Sequence, residues 1–141
     1  MKIRAPLSLS VLLLSMPLAA QCAETRQLVK LPQMMQKHML SSMRDHLLSV
    51  HEIQAALAKG EFDRAADVAE ARLGMSSLES HGAEHMAPYM PKAMQAIGTA
   101  MHHAASRFAL KTKEGDATQS LAALAEVTQQ CVACHAGYRI R

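Results

Sequence analysis

The stretch "LPQMMQKHMLSSMRDHLLSVHEIQAALAKG", Leu31–Gly60, decides how the rest of the chain is read. Pro32 stands near its start and Gly60 at its end, the residue types that open and close helices. Between them Met39, Met43, His46, Val50, Ile53 and Leu57 recur at alternating steps of four and three. An α-helix turns once in about 3.6 residues, so these six side chains share one face. A stripe that long needs a partner to cover it.

The same period continues downstream. "EFDRAADVAEARLGMSSLES" (61–80) predicts a second helix from about Asp63, with Ala65, Ala69 and Leu73 on one side and Gly74 weakening its later part. "HGAEHMAPYMP" (81–91) is broken by Gly82, Pro88 and Pro91 and reads as a loop. A third helix is expected from about Pro91 to Leu110, its stripe being Met94, Ile97, Met101, Ala104 and Phe108. After the polar turn "KTKEGD" (111–116), Asp116 and Gln119 form a capping box for a fourth. That helix reads with Leu121, Leu124, Thr128, Cys131, His135 and Tyr138 toward the core. No segment alternates with period two, and no Asn-Gly or Asp-Gly hairpin signal occurs. The expected fold is all-α, an antiparallel up-down four-helix bundle over residues 24–141.

Upstream, Lys2 and Arg4 precede "PLSLSVLLLSMPLAA" and "QCAE", the charged start, apolar stretch and small-residue exit of a secretory signal peptide. Residues 1–23 are read as that peptide, with cleavage after Ala20 or Ala23. Cys22 offers a lipid attachment point, which the bulky Gln21 before it disfavours. The mature chain is then exported to the periplasm, with no stable membrane insertion. Its formal charge falls from +3 to +1 once Lys2 and Arg4 are removed. Bases and acids are interspersed and aromatics are scarce, which speaks against nucleic-acid binding. No nucleophile–base pair and no Gly-rich phosphate loop is present, so no enzyme activity is expected.

The chemistry sits in "CVACH", Cys131–His135. C-x-x-C-H is the attachment signature of a c-type haem. Two thiols add to the two vinyl groups of the porphyrin, and the neighbouring imidazole binds the iron. Residues three and four apart share a helix face, so Cys131, Cys134 and His135 address one macrocycle. A thioredoxin-like dithiol would place CxxC at the start of a helix after a strand, not near a helix end. A zinc site pairing the cysteines with His81 and His85 is the metal alternative. Met34, Met35, Met86 and Met90, with histidines nearby, form a soft copper-binding set that needs no haem. His38, His51, His81, His85, His102 and His103 are otherwise expected on solvated faces or in loops.

The C-terminal "CVACHAGYR" on the last of four helices resembles the class II c-type cytochromes, the cytochromes c′ and their low-spin relatives. "IQAALAKGEFDRAA" (53–66) is similar to the end of that family's first helix, whereas nothing between Gly74 and Pro91 matches. The resemblance implies one covalent haem c near one end of the bundle, held by Cys131, Cys134 and His135, with Tyr138 and Arg139 packing at its edge. It also implies a distal residue on the first helix. A gapless match on "AKGE" places Arg44 there, which cannot ligate; aligning the apolar stripes places Met43, with Met39 second and His46 third. The family's arginine one turn earlier is missing, Met39 standing in its place, so Arg44 or Lys37 is left to meet the haem propionates. His135 and Met43 as axial ligands describe a one-electron carrier that serves redox partner proteins of the periplasm or inner membrane. A vacant sixth position describes a binder of nitric oxide or carbon monoxide. Family members often pair through their first two helices, and an alanine-rich second helix permits a homodimer.

Overall fold

A computed structural model describes residues 24–141; the expected signal peptide lies outside the described residues. The described chain is predominantly helical. Helix α1 spans Gln33–Leu57 and α2 spans Phe62–Arg72. The segment expected as a loop instead carries a short helix α3, Ala83–Met86, followed by a 3-10 turn, Ala87–Tyr89. Pro88 is tolerated because it stands in the first positions of that turn, where an N–H would have no partner anyway. A second 3-10 turn, Met75–Ser77, follows α2. Helices α4, Lys92–Thr112, and α5, Ala117–Gly137, complete the described chain's long elements.

The expected punctuation operates in detail. Asp116 caps α5, its carboxylate accepting from the Gln119 backbone N–H at 2.9 Å and from the Gln119 side-chain amide at 3.0 Å. Helix α2 stops at Arg72, before Gly74. A Cβ at Gly74 would stand only 2.8 Å from the Glu70 carbonyl oxygen, so the close turn there requires glycine.

Helix α1 packs on α2, α2 on α4 and α4 on α5. Between them lies a core of Ile53, Ala56, Leu57, Ala65, Ala66, Ala69, Leu73, Met101, Ala104, Ala105, Phe108, Ala109, Leu124 and Val127. Small alanines let the helix backbones approach, and Phe108 and Ile53, both fully buried, fill the space left between them. Arg72 fastens α2 to α1. Its guanidinium donates to Glu52 at 2.8 Å and to both carboxylate oxygens of Asp45.

Two further details depart from the sequence reading. The buried line of α5 is Ser120, Leu124 and Val127, continued by the half-buried Cys131, Cys134 and Tyr138. Leu121 is 54% exposed and His135 is exposed, so neither points to the core as expected. A serine takes the buried place because its hydroxyl donates to the Asp116 carbonyl at 2.7 Å and so enters the core with its hydrogen bond made. The second departure is a parallel bridge pairing Gln27 with Tyr138 and Leu28 with Arg139. Two residues on each side are too few to leave a period-two pattern. Among the described residues no helix is long and apolar enough to cross a membrane.

Candidate functional site

The bridge sets the geometry of the carboxyl-terminal motif. Beyond the end of α5 the chain turns extended, the Tyr138 N–H closing on the Cys134 carbonyl. The Val29 N–H then donates to the Arg139 carbonyl at 2.8 Å, and the Gln36 side-chain amide of α1 donates to the Ile140 carbonyl. The last turn of α5 is thereby tied to the first turns of α1. Cys134, Tyr138 and Ile140 meet Met35, Met39 and Met43 of α1 in one apolar cluster with Val29, Leu31, Met86, Met90 and Met94.

Cys131 and Cys134 are free thiols, half-buried, one helical turn apart. Cys131 packs against the alanine-rich core and Cys134 against the methionine cluster, so the motif stands at the boundary between the two. The Cys131 thiol makes a weak hydrogen bond to the Val127 carbonyl at 3.6 Å. Burial raises both thiol pKa values, and at Cys134 the neighbouring Cys131 adds to the effect. The pair therefore lacks the acidified thiolate of a redox dithiol.

The other sequence-selected residues divide between two places. Met39 is buried and Met43 half-buried in the cluster that contains Cys134. His135 is exposed beside it on the last turn of α5. Arg139 is half-buried, and its Nε has no hydrogen-bond partner among the described residues. Its nearest carboxylate oxygen is that of Glu24, at 3.9 Å. Lys37 and Arg44 are exposed on α1.

This set fits a c-type haem. Two unpaired thiols and an imidazole occupy adjoining positions of one helix, an apolar methionine-rich wall faces Cys134, and a buried guanidinium nitrogen is left for an anion.

His46 goes elsewhere. Its Nε2 lies 3.4 Å from Nε2 of His81, and its ring packs edge-on against that ring at a centroid distance of 4.7 Å. His102 closes the group, 5.3 Å from His81 and 6.4 Å from His46 between centroids. His102 is buried, contrary to the solvated face expected for it, and His81, in a turn of the segment read as a loop, is half-buried. The sequence concealed this because the three come from α1, the turn before α3 and α4. The one available signal was His46 lying on an otherwise apolar stripe. Burial lowers the His46 pKa to about 4, and the charges of His81 and His102 push it the same way. Burial and then His102 lower that of His81. His85 parts company with His81: it is exposed and lines a cleft with Met34, Met35, His38 and Met86. Gly82 makes the parting turn, at φ 61°.

No protein-family description, curated protein or solved structure matches this chain. The functional reading rests on its own residues.

Proposed function

We propose that this protein is a periplasmic one-electron carrier with a single haem c joined to Cys131 and Cys134 and ligated by His135. The observation that carries the reading is the meeting of the CxxCH turn with Met39 and Met43 across the apolar cluster. When bound, the haem supplies a one-electron ferric–ferrous couple.

The chain's own residues do the rest. Cys131 and Cys134 would anchor the ring covalently from α5, and His135 would hold its iron. Met43 of α1 would be the second iron ligand, with Met39 in the same apolar cluster. The four long helices act as an up-down bundle around this group, the strap of residues 27–29 fixing the height of α5 against α1. Arg139 would offer a propionate its Nε, which has no hydrogen-bond partner among the described residues, and Tyr138 would cover the ring edge. A thioether ligand in apolar surroundings favours the ferrous form and raises the potential. No reaction is catalysed; electrons pass to and from redox partner proteins of the periplasm or inner membrane.

Protein exported in a host that matures c-type cytochromes should carry red colour with the polypeptide through denaturing electrophoresis. The pair Cys131→Ser and Cys134→Ser should lose it completely. A colourless wild-type chain with two alkylatable thiols sinks the reading. Carbon monoxide should leave the reduced wild type essentially unchanged and should bind the Met43→Ala variant. Rapid binding to the wild type would instead make the protein a five-coordinate gas binder.

The cleft that gathers Met34, Met35, His38, His85 and Met86 favours a second reading, a haem-free copper-binding helical protein. Stoichiometric cuprous ion uptake by a colourless chain, unaffected by the two serine substitutions, would support it.

A further inference from the structure

The three histidines that the haem reading leaves unused form a group of their own. Among the described residues no group of three His, Cys, Asp or Glu side chains could hold a metal ion as placed. The histidines come close to doing so. In a tetrahedral zinc site with nitrogen at about 2.0–2.1 Å, two ligating nitrogens stand about 3.4 Å apart. His46 Nε2 and His81 Nε2 are 3.4 Å apart. In the same tetrahedron three imidazole centroids stand about 5 Å from one another. Here the centroid distances are 4.7, 5.3 and 6.4 Å, so His102 must move in on the other two rings, by roughly an ångström toward His46.

The hydrogen bonds fix which nitrogens can ligate. His102 Nδ1 lies 2.7 Å from the Leu73 carbonyl oxygen. A carbonyl only accepts, so Nδ1 carries the proton and Nε2 keeps its lone pair. Ser77 Oγ donates to the Gly74 carbonyl at 2.7 Å, which commits its hydrogen. Toward His81 Nδ1, 3.4 Å away, the hydroxyl can then only accept. His81 Nδ1 is the donor there, and its Nε2 is the free base facing His46. Backbone carbonyls and a hydroxyl behind the rings are the outer contacts that orient metal-bound imidazoles. His81, half-buried, gives the group a path to solvent.

We infer that His46, His81 and His102 bind one divalent cation of the zinc type through their Nε2 atoms, at a site separate from the CxxCH turn. The fourth position is left to solvent. On binding, the proton that His46 Nε2 shares with His81 moves to His46 Nδ1, so no net proton is released by these rings. The cation would clamp α1, α4 and the turn before α3 at the point where Arg72 already ties α2 to α1.

The test is zinc titration of the mature exported protein by calorimetry, with X-ray absorption at the zinc edge, which haem iron does not obscure. One equivalent should bind, with three imidazole nitrogens at about 2.0–2.1 Å. His81→Ala and His102→Ala should each weaken binding by about 100-fold or more, since losing an outer contact alone costs about 10- to 100-fold. His103→Ala, next in sequence but exposed, should bind as the wild type does. Circular dichroism verifies folding, and should His102→Ala unfold, the half-buried His81→Ala decides alone. Absence of zinc uptake at micromolar concentration, undiminished uptake by His81→Ala, or sulfur scattering at the zinc edge would each overturn the inference. With Cys131 and Cys134 alkylated wherever they are not already joined to haem, each outcome reads the histidines alone, so this site and the CxxCH reading fail separately.

Discussion

Two apolar regions of this molecule are built from opposite materials. One is packed with Ala56, Ala65, Ala66, Ala69, Ala104, Ala105 and Ala109 around Phe108 and Ile53. Alanine has no rotatable side chain, so this region holds α1, α2, α4 and α5 at fixed spacing. The other gathers Met35, Met39, Met43, Met86, Met90 and Met94 against Val29, Cys134 and Tyr138. Methionine turns about three bonds and fills irregular space, so this region can reshape around a large planar group. The CxxCH turn lies on the border, with Cys131 on the rigid side and Cys134 on the soft one. A haem attached there would be anchored by the first region and accommodated by the second.

The sharpest way to break that comparison is to remove volume from each side. Phe108→Ala should destabilise the protein by about 3–5 kcal/mol, because the alanines around it cannot collapse into the cavity. Met94→Ala, on the soft side, should cost about 2 kcal/mol, the low end for such a truncation, because the neighbouring methionines can move into the space. Urea unfolding measures both, and comparable losses would end the distinction.

Acid sharpens the comparison further. Free His46 titrates near 6.5, but burial holds it at about 4 in the folded chain. Between those values the unfolded state takes up a proton that the folded state refuses. Stability contributed by neutral His46 is therefore present above pH 6.5 and lost progressively as pH falls toward 4, by up to about 3 kcal/mol. In chelator-treated protein, thermal unfolding followed from pH 7 to pH 4 should show this decline, and His46→Gln should flatten it. Amide exchange in acid should rise first around the histidines and last in the methionine cluster.

The smallest expected effect concerns the tie between helices. Arg72→Ala should cost about 1 kcal/mol, since its carboxylate partners Asp45 and Glu52 remain partly exposed to water. Added salt should shrink the difference between variant and wild type, measurable in the same urea titrations.

Much of the helical order was legible in the sequence. Met39, Ile53 and Leu57 of α1 are buried where their spacing placed them, as are Met94, Met101, Ala104 and Phe108 of α4. Periodicity failed on α5, where Ser120 displaces Leu121, because a serine that bonds its own helix backbone is as easily buried as a leucine. It failed also at residues 75–89, whose short turns bury little and carry no repeat long enough to read.

The CxxCH spacing, the helix caps and the apolar stripes are local properties, set by bonds within a turn or two, and one sequence suffices to determine them. The convergence of His46, His81 and His102, the bridge from Gln27–Leu28 to Tyr138–Arg139 and the placing of Met39 and Met43 against Cys134 join residues far apart in the chain. Only the tertiary structure decided them, because such contacts depend on how whole helices pack, and helix packing is fixed by the summed shape of many side chains rather than by any short motif.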